Sequence, residues 1–455
     1  MCHPERSVAK SKSKTNMQGE CSGHACVDIA EPNIWERSSN LALTSRNYYK
    51  RDRREKSMSN TEWKTAKLGD VCDLVAGYAF KSADFGDFES KVIKITHITP
   101  PRVDDVSLAG VDISKYDRQK LEKYIVRDGD YVFAMTGATI GKIGRLYKGS
   151  AYINQRVLTF RNKPFLIDKD FLYFILQKED FAKYVYNHID SESAQPNISA
   201  NTVAKYEFQL PPLAEQQRIA SILSSLDDKI ELNNKINRNL EEQAQALFKN
   251  WFVDFAPFGG NMPAGWKVEK LSDIAEITMG QSPDGKSYNE NGEGTVFYQG
   301  RAEFGWRFPT RRLFTTAPTR FAKKYDTLIS VRAPVGDLNI ANEDCCIGRG
   351  LAAIHSKDTH QSFVHYTIAA LRPQLEVFNG EGTVFGSINR NALNDMDIVI
   401  PSKEYLEKFG KIVSTQDAEI FNRSEEIQHL TELRNSLLSK LMSGEQLAKR
   451  ETEEQ

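Results

Sequence analysis

The chain has 455 residues, enough for two to four domains, and a hydrophobic content of 40% allows each domain a buried core. Its formal net charge is −1, so attraction to a polyanion has to come from local basic patches. No apolar run reaches the roughly 20 residues that cross a bilayer, the N-terminus lacks the pattern of a secretory signal, and six cysteines do not form a disulfide framework in a chain this long. We therefore expect a cytoplasmic protein without a membrane span.

The N-terminal segment differs in composition from the rest of the chain. Residues 1–57 are rich in Ser, Asn, Lys and Arg and show no hydrophobic periodicity, which predicts a disordered extension. Cys21, His24 and Cys26 lie close together there, but the CxxC pairs typical of a zinc site are missing, so we predict no metal site.

An internal repeat organises the remaining sequence. Residues 63–71 match residues 266–274, and Leu210-Pro211 matches Ile400-Pro401. Each copy spans roughly 190–200 residues, which is too long for a solenoid and indicates a duplicated unit of one domain and one helix.

Each copy begins with a β-rich part punctuated by glycine and proline, which predicts two similar α/β domains. The predicted elements are strands at residues 92–95, 131–134, 327–331 and 396–400 and amphipathic helices at residues 171–186 and 363–375. The predicted organisation is an extension at residues 1–57, domains at 58–212 and 266–400, long helices at 213–256 and 401–445, a linker at 257–265 and a disordered tail at 446–455.

Each copy ends in a long helix whose apolar residues repeat with the 4,3 spacing of a coiled coil. About 40 residues per helix correspond to roughly 60 Å, and we predict that the two helices pair. The predicted seam consists of Ile219, Leu223, Leu226, Ile230, Asn237, Leu240, Leu247 and Trp251 in the first helix and Val413, Ile420, Arg423, Ile427, Leu430, Leu437 and Leu441 in the second.

The duplication also predicts how the two helices pair. A pseudo-two-fold axis between the halves makes the helices antiparallel, with the domains at opposite ends. The polar seam residues then meet near the middle, with Asn237 opposite Arg423 and Asn233 opposite Ile427. Such buried polar residues cost stability but fix alignment.

Three motifs resemble catalytic sites, and each lacks an essential part. Residues 137–143 resemble a phosphate-binding loop but have too few residues between the glycines and no Ser or Thr after the lysine. Asp70, Glu89 and Lys91 resemble a nuclease metal site, but the second copy does not retain the lysine. Residues 210–213 hold the prolines of an amino-methyltransferase motif without its polar and aromatic residues. We therefore predict no catalytic residues.

Basic residues concentrate in the β-rich domains. Residues 299–324 carry seven basic residues and one acidic residue, with aromatic residues between them. Arg can fork onto guanine, Gln suits adenine, and either Arg or Lys neutralises phosphates. The alternative is a solvated face or internal ion pairs. The candidate DNA contacts are Lys142, Arg145, Gln155 and Arg156 in the first domain and Arg301, Arg307, Arg311, Arg312, Arg332 and Arg349 in the second.

The order of these features resembles the specificity subunit of type I restriction–modification enzymes over about residues 60–445. The matching motifs are the opening at residues 63–70, Gly-Asp-Tyr-Val-Phe at residues 129–133 and Leu-Pro-Pro-Leu-Ala-Glu-Gln-Gln-Arg-Ile at residues 210–219. The second copy departs from the family pattern because residues 400–404 have lost the Glu-Gln-Gln core.

The resemblance implies an α+β fold with two target-recognition domains separated by two long antiparallel coiled-coil helices. It further implies a non-catalytic subunit that reads a bipartite, asymmetric site in double-stranded DNA. Two modification subunits would transfer a methyl group from S-adenosylmethionine to adenine, and restriction subunits would use ATP and Mg²⁺. No cofactor is expected in this chain itself.

Three alternatives remain open on the sequence. A DNA reader of the same architecture could act without methyltransferase partners, which co-purification would test. A nuclease with a non-obvious site would show activity with Mg²⁺. A coiled-coil scaffold without DNA function would show no salt-dependent binding to duplex DNA.

Overall fold

A computed structural model describes residues 63–190, 196–380 and 386–443. The predicted disordered segments at residues 1–57 and 446–455 and the cysteine–histidine group at residues 21–26 lie outside this part. The described chain runs in the order domain, long helix, domain, long helix. None of the helices in the described ranges is long and apolar enough to cross a membrane.

The first domain contains three sheets, with strand orders β1-β12, β6-β3-β10-β7 and β2-β11-β8-β9-β5-β4. Its strands are β1 (Lys64–Lys67), β2 (Cys72–Ala76), β3 (Phe85–Ile93), β4 (Ile98–Thr99), β5 (Arg102–Val103), β6 (Ala109–Val111), β7 (Ile125–Arg127), β8 (Tyr131–Ala134), β9 (Ile143–Arg145), β10 (Ser150–Ile153), β11 (Val157–Asn162) and β12 (Glu207–Leu210). Its helices are α1 (Leu68–Val71), α2 (Arg118–Leu121), α3 (Lys169–Leu176), α4 (Glu179–Asn187) and α5 (Ala200–Ala204).

The second domain also contains three sheets, with strand orders β13-β23, β14-β22-β19-β20 and β15-β17-β16-β21-β18. Its strands are β13 (Lys267–Lys270), β14 (Ala275–Met279), β15 (Tyr288–Asn289), β16 (Thr295–Tyr298), β17 (Phe314–Thr315), β18 (Phe321–Ala322), β19 (Thr327–Ser330), β20 (Leu338–Ile340), β21 (Cys345–Ile347), β22 (Leu351–Ser356) and β23 (Asp397–Ile400). Its helices are α7 (Leu271–Ile274), α8 (Gln361–Ala370), α9 (Arg372–Glu376) and α10 (Arg390–Asn394).

Each domain has a central sheet of the same topology, because the order β2-β11-β8-β9 in the first domain corresponds to β14-β22-β19-β20 in the second. The registers agree as well: Val157 pairs with Ala134 in the first domain, and Leu351 pairs with Ser330 in the second. Strand β8 coincides with its prediction, and β19 and β23 each differ from theirs by one residue at one end. Strand β3 begins seven residues before the span predicted at residues 92–95 and ends two residues before its end.

Two predicted helices are each divided in the structure. Lys178 is extended between α3 and α4, so that α4 has its own first turn with Glu179 and Asp180 near the positive end of the helix dipole. In the second domain, α8 ends before α9, which carries Pro373 in its first turn, where the missing N–H costs nothing. The predictions of single helices at residues 171–186 and 363–375 are therefore wrong.

The two long helices, which we call the stalk helices, are α6 (Leu213–Phe248) and α11 (Lys403–Met442). They pack antiparallel, because Ile219 near the start of α6 shares a core with Leu441 near the end of α11. At the other end, Phe248 shares a core with Phe409. The α+β class with an antiparallel pair of long helices is confirmed.

The first stalk helix ends before residue 256, where the sequence predicted its end. A π-helical turn at Lys249–Val253 follows α6, and Phe255 adopts a left-handed backbone conformation with φ of 50°. Phe252 and Phe258 then pack against Trp266, with ring centroids 5.7 and 5.2 Å apart. The aromatic segment thus folds onto the start of the second domain and does not continue the helix.

Every predicted seam residue is buried or partly buried, and the polar layer lies near the middle of the stalk. Asn233 accepts a hydrogen bond from Arg423 Nη1 at 2.9 Å and donates to Glu426 Oε2 at 2.8 Å. Asn237 donates to Ser424 Oγ at 3.2 Å. The prediction that Arg423 partners Asn237 is therefore wrong, because its long side chain reaches one turn along the stalk to Asn233. The other two partners, Ser424 and Glu426, each lie one residue from the predicted position.

The Glu-Gln-Gln motif at the start of α6 has a structural role. Gln216 is buried and accepts a hydrogen bond from Asp168 N at 2.8 Å. Its amide donates to Leu166 O at 3.1 Å and to Pro211 O at 2.8 Å. The equivalent residue in the second copy is Leu406, which is partly buried in an apolar core. The second copy thus replaces a polar connection between helix and domain with apolar packing.

Candidate nucleic-acid interface

Three chain segments of the first domain meet beside the turn between β10 and β11. We call residues 154–156, 136–137 and 196–197 edge patch 1. Met135 N donates to Arg156 O at 3.0 Å, and Gly137 N donates to Pro196 O at 3.0 Å. These backbone hydrogen bonds hold the three segments side by side.

The second domain repeats this arrangement beside the turn between β21 and β22. We call residues 348–350, 332–333 and 386–387 edge patch 2. Val331 N donates to Gly350 O at 2.9 Å, and Ala333 N donates to Gly386 O at 3.0 Å, which reproduces the backbone of edge patch 1. Gln155 and Arg349 therefore occupy equivalent positions.

One glycine packs closely against the backbone of each patch. A Cβ at Gly77 would lie 2.2 Å from Asn154 O, and a Cβ at Gly280 would lie 2.2 Å from Gly348 O. The same two glycines donate backbone hydrogen bonds to the following strand, Gly77 to Val157 O at 2.8 Å and Gly280 to Leu351 O at 2.9 Å. Positions 77 and 280 consequently require glycine, because any side chain there would collide with the backbone of the neighbouring turn.

The side chains at the patches are exposed and differ between the domains. Edge patch 1 presents Gln155 and Arg156, whereas edge patch 2 presents Arg349 and Arg332. In the part of the chain that the structure describes, none of the three arginines forms an ion pair. Lys142 is also exposed, but it lines a cavity of about 590 Å³ between the first domain and the stalk helices.

Arg307 is wrong as a DNA contact because it is buried in ion pairs, and Arg145 is partly buried in an ion pair of its own. Arg145 pairs with Asp170, and its guanidinium lies 4.9 Å from the centroid of Tyr173. Arg307 is 5% exposed and pairs with carboxylates of both stalk helices. The Arg307 guanidinium is therefore not available to a duplex, whereas DNA contact by Arg145 stays a prediction.

Three further candidates are exposed but already paired within the second domain. Arg301 pairs with Asp337 at 2.6 Å, and Arg311 and Arg312 pair with Glu343 and Glu303. The basic segment at residues 299–324 is thus largely neutralised by internal carboxylates, as the alternative interpretation of the sequence anticipated. DNA contact by these three arginines stays a prediction.

Burial shifts the pKa values of two groups where the domains meet the stalk. Burial raises the pKa of Asp227 even though Arg434 lies 3.2 Å away. Burial, and next the charge of Arg307, hold the pKa of His365 well below its usual value. These groups therefore resist ionisation inside the domain–stalk contacts.

The sequence analysis missed these contacts between domains and stalk. Arg102 of the first domain donates to Glu231 of α6 at 2.9 Å, and Arg434 of α11 donates to Gln177 at 3.1 Å. The sequence did contain a signal for these contacts, because the stalk helices carry acidic residues beside the seam.

The motifs set aside as non-catalytic gain no support from the structure. Asp70, for example, accepts a hydrogen bond from Lys67 N in the first turn of α1. Across the described ranges, no group of three His, Cys, Asp or Glu residues could hold a metal ion.

Comparisons with known proteins agree with this architecture. A putative type I restriction enzyme MjaX specificity subunit from Methanocaldococcus jannaschii is 29% identical over 403 residues, covering 84% of this chain and 93% of the relative. The MjaIX specificity subunit of the same organism is 27% identical over 423 residues, with the same coverage. The crystal structure of a type I restriction–modification S subunit from M. genitalium has the same fold, with a TM-score of 0.56 and 16% identity over 85% of this chain and 98% of that chain.

A family model described as the type I restriction modification DNA specificity domain matches twice, at residues 60–242 and 263–432. The two matches coincide with the two copies of the internal repeat and together span most of the chain. The chain therefore belongs to the family of type I restriction–modification DNA specificity subunits.

Proposed function

We propose that each recognition domain reads one half of a bipartite DNA site through its edge patch. The observation that carries this proposal is the pair of patches, whose backbones form matching hydrogen bonds while their exposed side chains differ. One scaffold that presents different side chains at equivalent positions suits a reader of two unlike half-sites.

The chemistry of the patches fits base edges. The amide of Gln155 can exchange two hydrogen bonds with adenine, and the guanidinium of Arg349 can fork onto guanine in the major groove. Arg156, Arg332 and Lys142, which form no ion pair with any described residue, carry positive charge for base edges or phosphates. The exposed Arg301, Arg311 and Arg312 would contribute only by exchanging their present carboxylate partners for phosphates.

We further propose that the chain is non-catalytic and acts within a complex in the cytoplasm. Two modification subunits would bind it and transfer methyl groups from S-adenosylmethionine to adenine, and restriction subunits would supply the reactions that need ATP and Mg²⁺. The two-fold relation between the halves supports the number of modification subunits, because it offers one type of partner two equivalent surfaces.

Mapping of methylated adenines in cells with and without this gene tests the proposal. We expect one split recognition sequence whose adenines lose methylation when the gene is deleted. Unchanged adenine methylation, together with duplex binding by the purified chain, would favour a reader that acts without methyltransferases. Binding to duplex DNA that does not weaken with salt would contradict DNA reading altogether.

A further inference from the structure

A loop of the second domain contacts both stalk helices. We call Phe304–Pro309 the docking loop; its ends form a β-bridge with each other. Phe308 packs edge to face on Phe421 of α11, with ring centroids 5.5 Å apart. Arg307 lies at the centre of the contact and is 5% exposed.

Arg307 connects both stalk helices at once. Its guanidinium pairs with Glu241 of α6 and with Asp417 of α11. Its Nη1 also donates to the hydroxyl of Tyr366 at 3.2 Å, and this hydroxyl lies 3.1 Å from Glu241 Oε2 and 3.3 Å from Asp417 Oδ1. The arginine thus binds a cluster that requires the domain and both helices to be in one fixed arrangement.

The first domain has a contact of the same kind at the equivalent place. Arg145 N donates to Pro101 O at 2.9 Å, and in the second domain Ile340 N donates to Arg307 O at 2.9 Å, from the matching strand. The residue after Pro101 is Arg102, which pairs with Glu231 of α6. In both halves, an arginine beside the last strand of the shared sheet binds a carboxylate of the stalk.

We propose that Arg307 is a positioning residue, whose ion pairs to Glu241 and Asp417 fix the orientation of the second recognition domain and so the half-site spacing that the protein accepts. This inference rests on the proposed function. Arginine suits the role because its planar fork of five donors can bind two carboxylates on separate helices, whereas the single ammonium of lysine binds them less directionally.

A change of one base pair moves a half-site by about 3.4 Å and rotates it by about 34° around the duplex. A rigidly held domain cannot follow this movement and loses base contacts, each worth about 1–3 kcal/mol, or roughly 5- to 150-fold in affinity. A domain released from the stalk can follow it.

The full-length chain is assayed on duplexes whose half-sites stand at the natural spacing or one base pair closer or farther apart. The variants are Arg307→Lys, which keeps the charge, and the neutral combination Arg307→Met, Glu241→Gln, Asp417→Asn, which leaves no buried unpaired charge. Arg218→Met is the control, because Arg218 pairs only with Glu215 within α6 in the described structure.

We expect the wild type and Arg218→Met to prefer the natural spacing by at least about tenfold. The neutral combination should reduce this preference to below about threefold while single half-sites bind as before, and Arg307→Lys should fall between the two. If both variants keep the wild-type preference, the proposal is overturned, whatever happens to their melting temperatures.

A measurement without DNA separates this proposal from the proposed function. Spin labels attached through non-cysteine chemistry at the exposed Lys286 and Asn422 report the distance between the second domain and α11. The distance distribution should broaden in the neutral combination and stay narrow in Arg218→Met. A narrow distribution in every variant overturns the positioning role even if the wild type binds no bipartite DNA, in which case the proposed function fails separately.

Discussion

The two buried asparagines of the stalk should respond differently to replacement by leucine, which should stabilise the protein only at Asn237. Asn233 and Asn237 are 0% and 1% exposed, and both occupy the seam between α6 and α11. They differ in how well their polar atoms are satisfied. Asn233 bonds to Arg423 and Glu426, whereas Asn237 donates only to Ser424, and its Oδ1 accepts no hydrogen bond from the described residues.

The magnitudes follow from these partners. Asn237→Leu removes an unsatisfied buried acceptor, a relief of about 1–3 kcal/mol, and loses one neutral hydrogen bond of about 0.5–1.5 kcal/mol. The leucine buries additional apolar surface, and Ser424 still donates to Ile420 O at 2.7 Å. We expect a net stabilisation of about 1–3 kcal/mol. Asn233→Leu instead deprives two charged groups of hydrogen bonds worth about 1.5–3 kcal/mol each, which cancels or exceeds the apolar gain.

Urea unfolding of the full-length chain, followed by circular dichroism at the helical signal, measures both effects. Asn237→Leu should raise the midpoint at an unchanged m-value, and Asn233→Leu should leave it unchanged or lower it. The reasoning is refuted if Asn237→Leu lowers the midpoint, or if the two variants shift it equally.

Three further predictions concern other parts of the chain. Gln216→Ala should destabilise the protein by about 1–3 kcal/mol, because it leaves Asp168 N, Leu166 O and Pro211 O without this partner; an unchanged urea midpoint would contradict the connecting role. The folded chain holds the pKa of His365 below the ordinary value of 6.5, so below pH 6.5 the unfolded chain binds more protons than the folded chain. The free energy of unfolding should therefore fall by up to about 1.4 kcal/mol for each pH unit below 6.5. His365→Gln should lack this part of the slope between pH 7.5 and 5.5, and equal slopes would argue against it. Gly77→Ala places a Cβ 2.2 Å from Asn154 O and should weaken binding to one half-site only, whereas Gly300→Ala, with nothing within 4 Å, should be neutral; equal binding by both variants would count against edge patch 1.

The sequence predicted the stalk better than the interface, for a physical reason. Pairing of α6 with α11 depends on a local periodicity that repeats along each helix, and the duplication fixes its polarity. The same periodicity does not specify how far a flexible side chain reaches. It therefore places Arg423 opposite Asn237, whereas the Arg423 side chain bonds to Asn233.

The basic residues illustrate the limit most clearly. Arg307 and Arg349 carry the same charge in the same domain, yet one is buried and the other is exposed. The difference arises from Glu241 and Asp417, which are distant from Arg307 in the sequence and meet it only in the folded structure. Composition can therefore locate a basic segment but cannot separate charges that bind DNA from charges that bind the protein itself.

The claim that each edge patch reads a different half-site is tested most directly by selecting binding sites from a pool of randomised duplexes. The full-length chain is compared with Gln155→Ala/Arg156→Ala and with Arg332→Ala/Arg349→Ala. Our account predicts that the first variant relaxes the base preference in one half-site only and that the second relaxes it in the other half-site only. Variants that alter both half-sites together, or that leave both consensus sequences intact, would contradict it.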